Sequence, residues 1–397
     1  MQRFIPIRPI RPVRLTLSSL CALAVFTAVG PVQAETLVRD QLMAQLGEAL
    51  FHDENLSLNR SQSCASCHDP EQGFSDPRRS ADGAFSLGDD GASLGNRNAP
   101  TASYAAFIPP FHQNADGKWI GGLFWDGRAA DLEEQAGGPP LNPIEMGLSD
   151  KAVLVQRLLE NPDYREQFAA LFSPTVLQED ESGFIAMTQA IAAFERGAEF
   201  APFSSKYDRY LAGKAQFSKE EELGRTLFFS EQFTNCNQCH QLRSSPIAAQ
   251  ETFSDYSYHN IGVPGNPAEV QEAGMAMDFV DEGLLANPQV TDPGERGKFR
   301  TPTLRNVAVT GPYMHNGVFQ DLRTVVLFYN RYNSKAEAAQ INPETGQPWG
   351  EPPVPGTLSV KELTHGPALE DRRVEALVAF LKTLTDQRYE YLLEAED

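Results

Sequence analysis

The chain has 397 residues, enough for two or three domains at about 150 residues each. Hydrophobic residues make up 41% and charged residues 22%, which excludes a disordered or fibrous chain. With 33 Lys and Arg against 53 Asp and Glu the net charge is −20, which argues against nucleic acid as a partner and suits a basic protein partner or a solvated surface.

Arg3, Arg8, Arg11 and Arg14 make the start of the chain positive. Leu15 to Gly30 is apolar, and Val32-Gln33-Ala34 offers small residues for cleavage before Glu35. That order predicts a secretory signal peptide over 1–34, with an apolar stretch too short and too interrupted to span a bilayer. No membrane span is expected after cleavage. Its removal takes four Arg and no acid, leaving 29 bases against 53 acids, a charge of −24.

Cys21 falls in that segment. The other four cysteines form two CxxC pairs, each followed by histidine: Cys64-Ala65-Ser66-Cys67-His68 and Cys236-Asn237-Gln238-Cys239-His240. C-x-x-C-H is the attachment signature of c-type haem. Two thiols about one helical turn apart reach the two vinyl groups of one porphyrin, and the next residue places an imidazole under the iron. A zinc site would want the pairs 15 to 20 residues apart, whereas these stand at 64 and 236. Thioredoxin-type redox disulfides would want a βαβ setting, and none surrounds the motifs. Two covalent haems are therefore expected.

Leu46-Gly47-Glu48-Ala49-Leu50-Phe51 precedes the first motif and Leu223-Gly224-Arg225-Thr226-Leu227-Phe228 the second, both L-G-x-x-L-F. Apolar helical stretches at 184–194 and 374–384 close the two halves. Such a repeat predicts a mainly α protein of two fused cytochrome c-like domains with long loops, 35–205 and 206–397. The stretches 69–118, 242–300 and 335–368 are rich in Gly, Pro, Asn and Asp and predict functional loops; no run of alternating strands stands out.

An iron with both axial positions filled passes electrons, and one with an open position binds peroxide or oxygen. His68 and His240 are the expected proximal ligands. Between 69 and 145 the only distal candidate is His112, with no Met, which hints at an open first site. The second half offers His259, Met275, Met277, Met314, His315, Tyr329 and Tyr332. Spacing does not choose among them, and Met314 is the expectation from the residues alone. Trp125, in Phe124-Trp125-Asp126-Gly127-Arg128, is a candidate hole relay, and Glu145 a candidate proton carrier.

Together the motifs SCASCHDPEQGF (63–74), GNRNAPT (95–101), FWDGRAADLEEQ (124–135), NPIEMG (142–147), CNQCH (236–240) and TPTLRNVAVTGPYMHNGVF (301–319) resemble the bacterial di-haem cytochrome c peroxidase and MauG family over nearly the whole mature chain. The resemblance implies two cytochrome c-like domains, two covalent haems, a calcium ion between them, and use of hydrogen peroxide in the periplasm. It makes Gln135, Pro139 and Glu145 the distal pocket of the first haem and Trp125 the aromatic between the haems. It assigns Asn98, Thr310 and Pro312 to calcium, oxygen donors that suit a hard cation. It sets His315 beside the calcium site and haem edge. Many peroxidases of the family carry a blocking His in the loop after the first motif; residues 69–111 contain none, as in MauG.

Fourteen residues beyond His315 the family places the sixth ligand of the second haem, Met in peroxidases and Tyr in MauG. Here it is Tyr329, so the resemblance replaces Met314. A phenolate donates charge and favours high oxidation states, whereas a thioether raises the potential. MauG also carries a Trp two residues before the first Cys of its second motif, and this chain has Thr234. The expected function is a peroxidase that draws electrons from a small cytochrome or copper protein. The alternatives are a MauG-type enzyme that oxidises residues of a protein substrate, and a non-catalytic electron carrier.

Overall fold

The computed structural model describes residues 31–78, 83–243, 245 and 247–393. Residues 1–38 and 39–397 separate into two compact units. The predicted signal segment up to residue 30 lies outside the described residues; Pro31–Phe51 is one helix. No helix among the described residues is long and apolar enough to cross a membrane.

The unit 39–397 is mainly helical around two hydrophobic cores. The first gathers Leu46, Leu50, Phe51, Phe74, Phe168, Met187, Phe194 and Phe200. The second gathers Tyr207, Phe228, Phe253, Val374, Leu377, Phe380, Leu381 and Leu384. Each contains one close helix crossing. In the first core Pro31–Phe51 meets the closing helix Asp180–Glu195 at Gly47, where a Cβ would run into the Ala190 carbonyl. In the second, Lys219–Phe228 meets Asp371–Lys382 at Gly224, where a Cβ would run into the Ala376 carbonyl. The glycine of L-G-x-x-L-F is thus the point of closest backbone approach in both halves.

Between the cores lies a buried polar seam. The Tyr104 hydroxyl donates to Asp386 at 2.9 Å, and the Asp386 amide donates to Asn306 Oδ1 at 2.8 Å. Arg305, fully buried, pairs with Asp208 at 2.6 Å. Satisfied partners are what allow these groups to stay out of water.

The expected loop stretches hold more order than the sequence suggests. Among the described residues four two-stranded antiparallel sheets pair Phe85–Leu87 with Leu94–Asn98, His112–Gln113 with Trp119–Ile120, Tyr258–His259 with Phe299–Arg300, and Ile341–Asn342 with Gln347–Pro348. Strands of two to five residues are too short to leave an alternating pattern.

Candidate active site

The two CxxCH motifs are seated alike. Cys64–Cys67 forms a single helical turn and Cys236–Gln238 a 3₁₀ turn, each followed closely by its histidine. His68 Nδ1 lies 3.2 Å from the Phe74 carbonyl, and His240 Nδ1 lies 3.2 Å from the Phe253 carbonyl. Such a bond fixes the tautomer and leaves Nε2 as the free electron-pair donor, as metal-bound histidines require.

Both carbonyls are aimed by strained backbone. Phe74 and Phe253 sit at φ 56° and 55°, a conformation costing of order 1–3 kcal/mol. A threonine holds the preceding residue each time: Thr101 Oγ1 donates to the Gly73 carbonyl and Thr303 Oγ1 to that of Thr252, both at 2.6 Å. Burial pushes the Cys64, Cys67 and Cys239 thiols up to about 12 and raises that of Cys236. These are inert thiols in apolar surroundings, suited to permanent thioethers.

The second motif opens on a cavity walled largely by apolar side chains, among them Phe228, Leu322, Val326, Leu377 and Leu381, with Cys236, Cys239 and His240 at its edge. Two thiols, an oriented imidazole and an apolar slot fit a covalently bound haem. Among the described residues no group of three or more His, Cys, Asp or Glu could hold a metal ion, which leaves zinc without a ligand set.

Tyr329 and Met314 both line this cavity. Burial raises the Tyr329 phenol, and the Cys239 and Cys236 thiols raise it further, which sets the ring close to the attachment site. Its hydroxyl makes no hydrogen bond to any described residue. Met314 takes φ 75° in its loop, and its carbonyl accepts from Asn98 Nδ2 at 3.2 Å. His259 also lines the cavity, 2.8 Å from Ser257 Oγ and 3.5 Å from Cys239 Sγ. Tyr332 is turned away, its hydroxyl donating to the Ile261 carbonyl at 2.9 Å.

The first half carries the same frame with different contents. Bridges Leu123–Ala129 and Tyr313–Phe319 open matching turns, and Asp131 and Asp321 cap the helices that follow. Counted from these caps, Trp125 stands opposite His315, and Pro139 stands opposite Tyr329. The second helix runs unbroken over Leu322–Asn330. The first stops at Leu132–Ala136, and a separate turn, Gly138–Leu141, begins with Gly138 and Pro139. A pyrrolidine offers iron nothing.

Glu145 follows in the same fold of chain, since the Pro139 carbonyl accepts the amides of Asn142 and Met146, both at 3.2 Å. Burial raises the Glu145 carboxyl, while Arg128 and a 2.8 Å bond from Asn142 Nδ2 pull the other way. Its charge is felt at Cys67, so it lies toward the first motif. Gln135 is half-buried on the capped helix, with no side-chain bond to a described residue. His112 is exposed on its hairpin, hydrogen-bonded to the Pro110 carbonyl.

Trp125 lies between the halves: it lines the second cavity, and its indole N–H donates to the Asn98 carbonyl at 2.8 Å. Its loop is held by Asp126, which pairs with Arg97 at 2.7 Å and Arg128 at 3.0 Å. Arg97 also pairs with Asp281 at 2.6 Å. His315 stacks on Phe299 with centroids 3.6 Å apart, and burial lowers it to about 4, so it is neutral at ordinary pH.

Asn98 and Pro312 are brought together, Asn98 Nδ2 donating to the Pro312 carbonyl at 2.7 Å. Thr310 lies two residues before Pro312, its methyl against Gly73. Thr234 lines the second cavity and hydrogen-bonds the Leu227 carbonyl.

Sequence reasoning missed two residues. Glu195, fully buried at the end of the first closing helix with Oε2 unpartnered, is pushed by burial up to about 8 and lies near Cys64. Arg300 is buried on the wall of the second cavity. A charged residue inside an apolar helix run was the available signal for Glu195; Arg300 gave none.

Comparison with known proteins agrees with this geometry. A family profile described as di-haem cytochrome c peroxidase matches residues 41–216. The methylamine utilization protein MauG of Paracoccus denitrificans is 52% identical over 381 residues, 96% of this chain and 98% of that protein. Cytochrome c551 peroxidase of Nitrosomonas europaea is 31% identical over 82% of this chain and 88% of its own. The crystal structure of the diheme peroxidase BthA from Burkholderia thailandensis superposes with a TM-score of 0.76 at 33% identity, covering 87% of this chain and 86% of that one. With its paired CxxCH seats and a relative matched end to end, the chain belongs to the di-haem cytochrome c peroxidase and MauG family.

Proposed function

We propose that this is a periplasmic, MauG-type enzyme that takes two oxidising equivalents from hydrogen peroxide and spends them on residues of a partner protein. The observation that carries it is Tyr329, a phenol with no protein partner in the cavity of the second CxxCH motif. The 52% identity to MauG of Paracoccus denitrificans supports the same reading. Two cytochrome c-like domains, 35–205 and 206–397, each carry one haem. When bound, the haems would supply the redox-active iron that chemistry on peroxide needs. His68 would hold the first iron, and Pro139 offers it no second ligand atom. His240 and Tyr329 would hold the second.

Glu145 takes a proton from one peroxide oxygen and returns it to the other, so that water can leave. A buried, raised carboxyl suits that traffic because burial makes it hold its proton more readily than an ordinary carboxylate does. Gln135 orients peroxide with its free amide. Trp125, pinned by its bond to Asn98, carries holes between the halves. Calcium at Asn98, Thr310 and Pro312 would tie the Trp125 and His315 loops together, since carbonyl oxygens suit that cation.

Thr234 favours a second reading, a peroxidase fed by a small cytochrome or copper protein. The position where MauG carries a surface Trp holds no aromatic here. Cyanide added to the ferric holoprotein tests the open site: one haem of two should bind it without prior reduction. Binding only after half-reduction would reveal a hidden distal ligand and defeat the MauG-type assignment. Turnover with a reduced cytochrome, against oxidation of a quinone-precursor protein, separates the two readings.

A further inference from the structure

Arg300 is 5% exposed and lines the second cavity. A guanidinium is always charged, and burying one without an acid is strongly unfavourable. Its Nε donates to the Phe124 carbonyl at 3.3 Å. Neither terminal nitrogen has a partner among the described residues. Asp126, the carboxylate that acts on it, is already taken by Arg97 and Arg128, and Asp281 on the cavity wall by Arg97. Tyr256, Tyr258 and Asp126 are the titratable groups acting on it, and burial lowers its hold on its proton. The other titratable groups on the cavity wall include Asp281, His259, His315 and Glu362. A charged fork facing a slot for an apolar ring system calls for a carboxylate carried by that ligand.

We propose that Arg300 binds a propionate of the second haem and thereby fastens the Trp125 loop to that haem; this rests on the two-haem reading above. The tether is already in place on the protein side. Besides the Nε bond, the Arg300 amide donates to the Trp125 carbonyl at 2.9 Å, and the residue is fixed in a strand pair opposite Tyr258. Arg300 is a positioning residue. It sets the distance between relay and haem, and its charge compensates the propionate.

The experiment uses the mature holoprotein and two variants, Arg300→Met and Arg300→Lys. A pyridine haemochrome first counts haems. Fewer than two in the unaltered protein defeats the haem reading itself, a separate failure. With two attached, the midpoint potential of the low-spin haem is measured from pH 5 to 8. Loss of the positive charge beside a carboxylate favours the ferric state, so Arg300→Met should move the potential downward. It should also add a pH dependence absent from the unaltered protein, as the released propionic acid titrates. Arg300→Lys, which keeps charge but loses the fork, should shift less. The resonance Raman propionate-bending band should move in both. Equal potentials, equal pH profiles and an unmoved band would overturn the assignment. If Arg300→Met fails to mature, the band of Arg300→Lys decides in the same way.

Discussion

The two halves use one frame to opposite ends, and the difference is concentrated eight residues after each capping aspartate. After Asp321 the helix continues and carries Tyr329 into the cavity. After Asp131 it breaks, and Pro139 stands at the matching place. Everything beneath is repeated: a histidine held at Nδ1, a left-handed phenylalanine, a threonine brace, a glycine crossing. The histidine seats are a shared scaffold, and the halves part where the helix after Asp321 runs on and the one after Asp131 stops. Proline is an effective choice because it both removes a ligand and ends the helix.

Glu145→Gln should break the comparison most severely, since only the first half has this carboxyl in its distal turn. Loss of a proton carrier should slow the reaction with peroxide by about 10²- to 10⁴-fold with both haems attached. In the unaltered enzyme the rate should fall with acid from a higher pH than an ordinary carboxylate gives, because the raised carboxyl is protonated earlier. That limb should vanish in the variant; stopped-flow rates against pH check both.

Tyr329→Phe should make the halves alike, turning the second haem high-spin in the visible spectrum. It should also remove the near-infrared band of two coupled haems expected after peroxide. Met314→Leu should leave both signals intact. A high-spin second haem in Met314→Leu would return the ligand to Met314 and the protein to the ordinary peroxidases.

Gly47→Ala and Gly224→Ala sharpen the comparison from the shared side. Each places a methyl against a backbone carbonyl of its closing helix, so each should cost about 1–3 kcal/mol in thermal or denaturant unfolding, by similar amounts. A tolerated Gly224→Ala beside a damaging Gly47→Ala would show that the crossings differ.

Glu195→Gln probes the first half through pH. Burial raises this carboxyl from its ordinary 4.5 to about 8, so between those values the folded protein binds more protons than the unfolded chain. Stability therefore falls as pH rises through that window. The glutamine variant should flatten the fall, as read from unfolding midpoints at several pH values.

The sequence by itself determined the chemistry and the repeat. CxxCH is a local motif whose thiols and imidazole lie within a turn or so of each other, so no long-range contact is needed to read it. The L-G-x-x-L-F leaders and closing helices were legible because helix packing leaves a periodic apolar record. Tertiary structure alone decided what lies at a distance in sequence. Short hairpins left no periodic trace. The pairing of Pro139 with Tyr329 became visible only when the capped turns could be laid over each other. The bonds from Asn98 to Pro312 and from Tyr104 to Asp386 join residues more than 200 positions apart. Arg300, in a polar, proline-flanked segment, looks like any surface cation in the sequence. Only folding, by burying it and committing the neighbouring acids elsewhere, gives it a role.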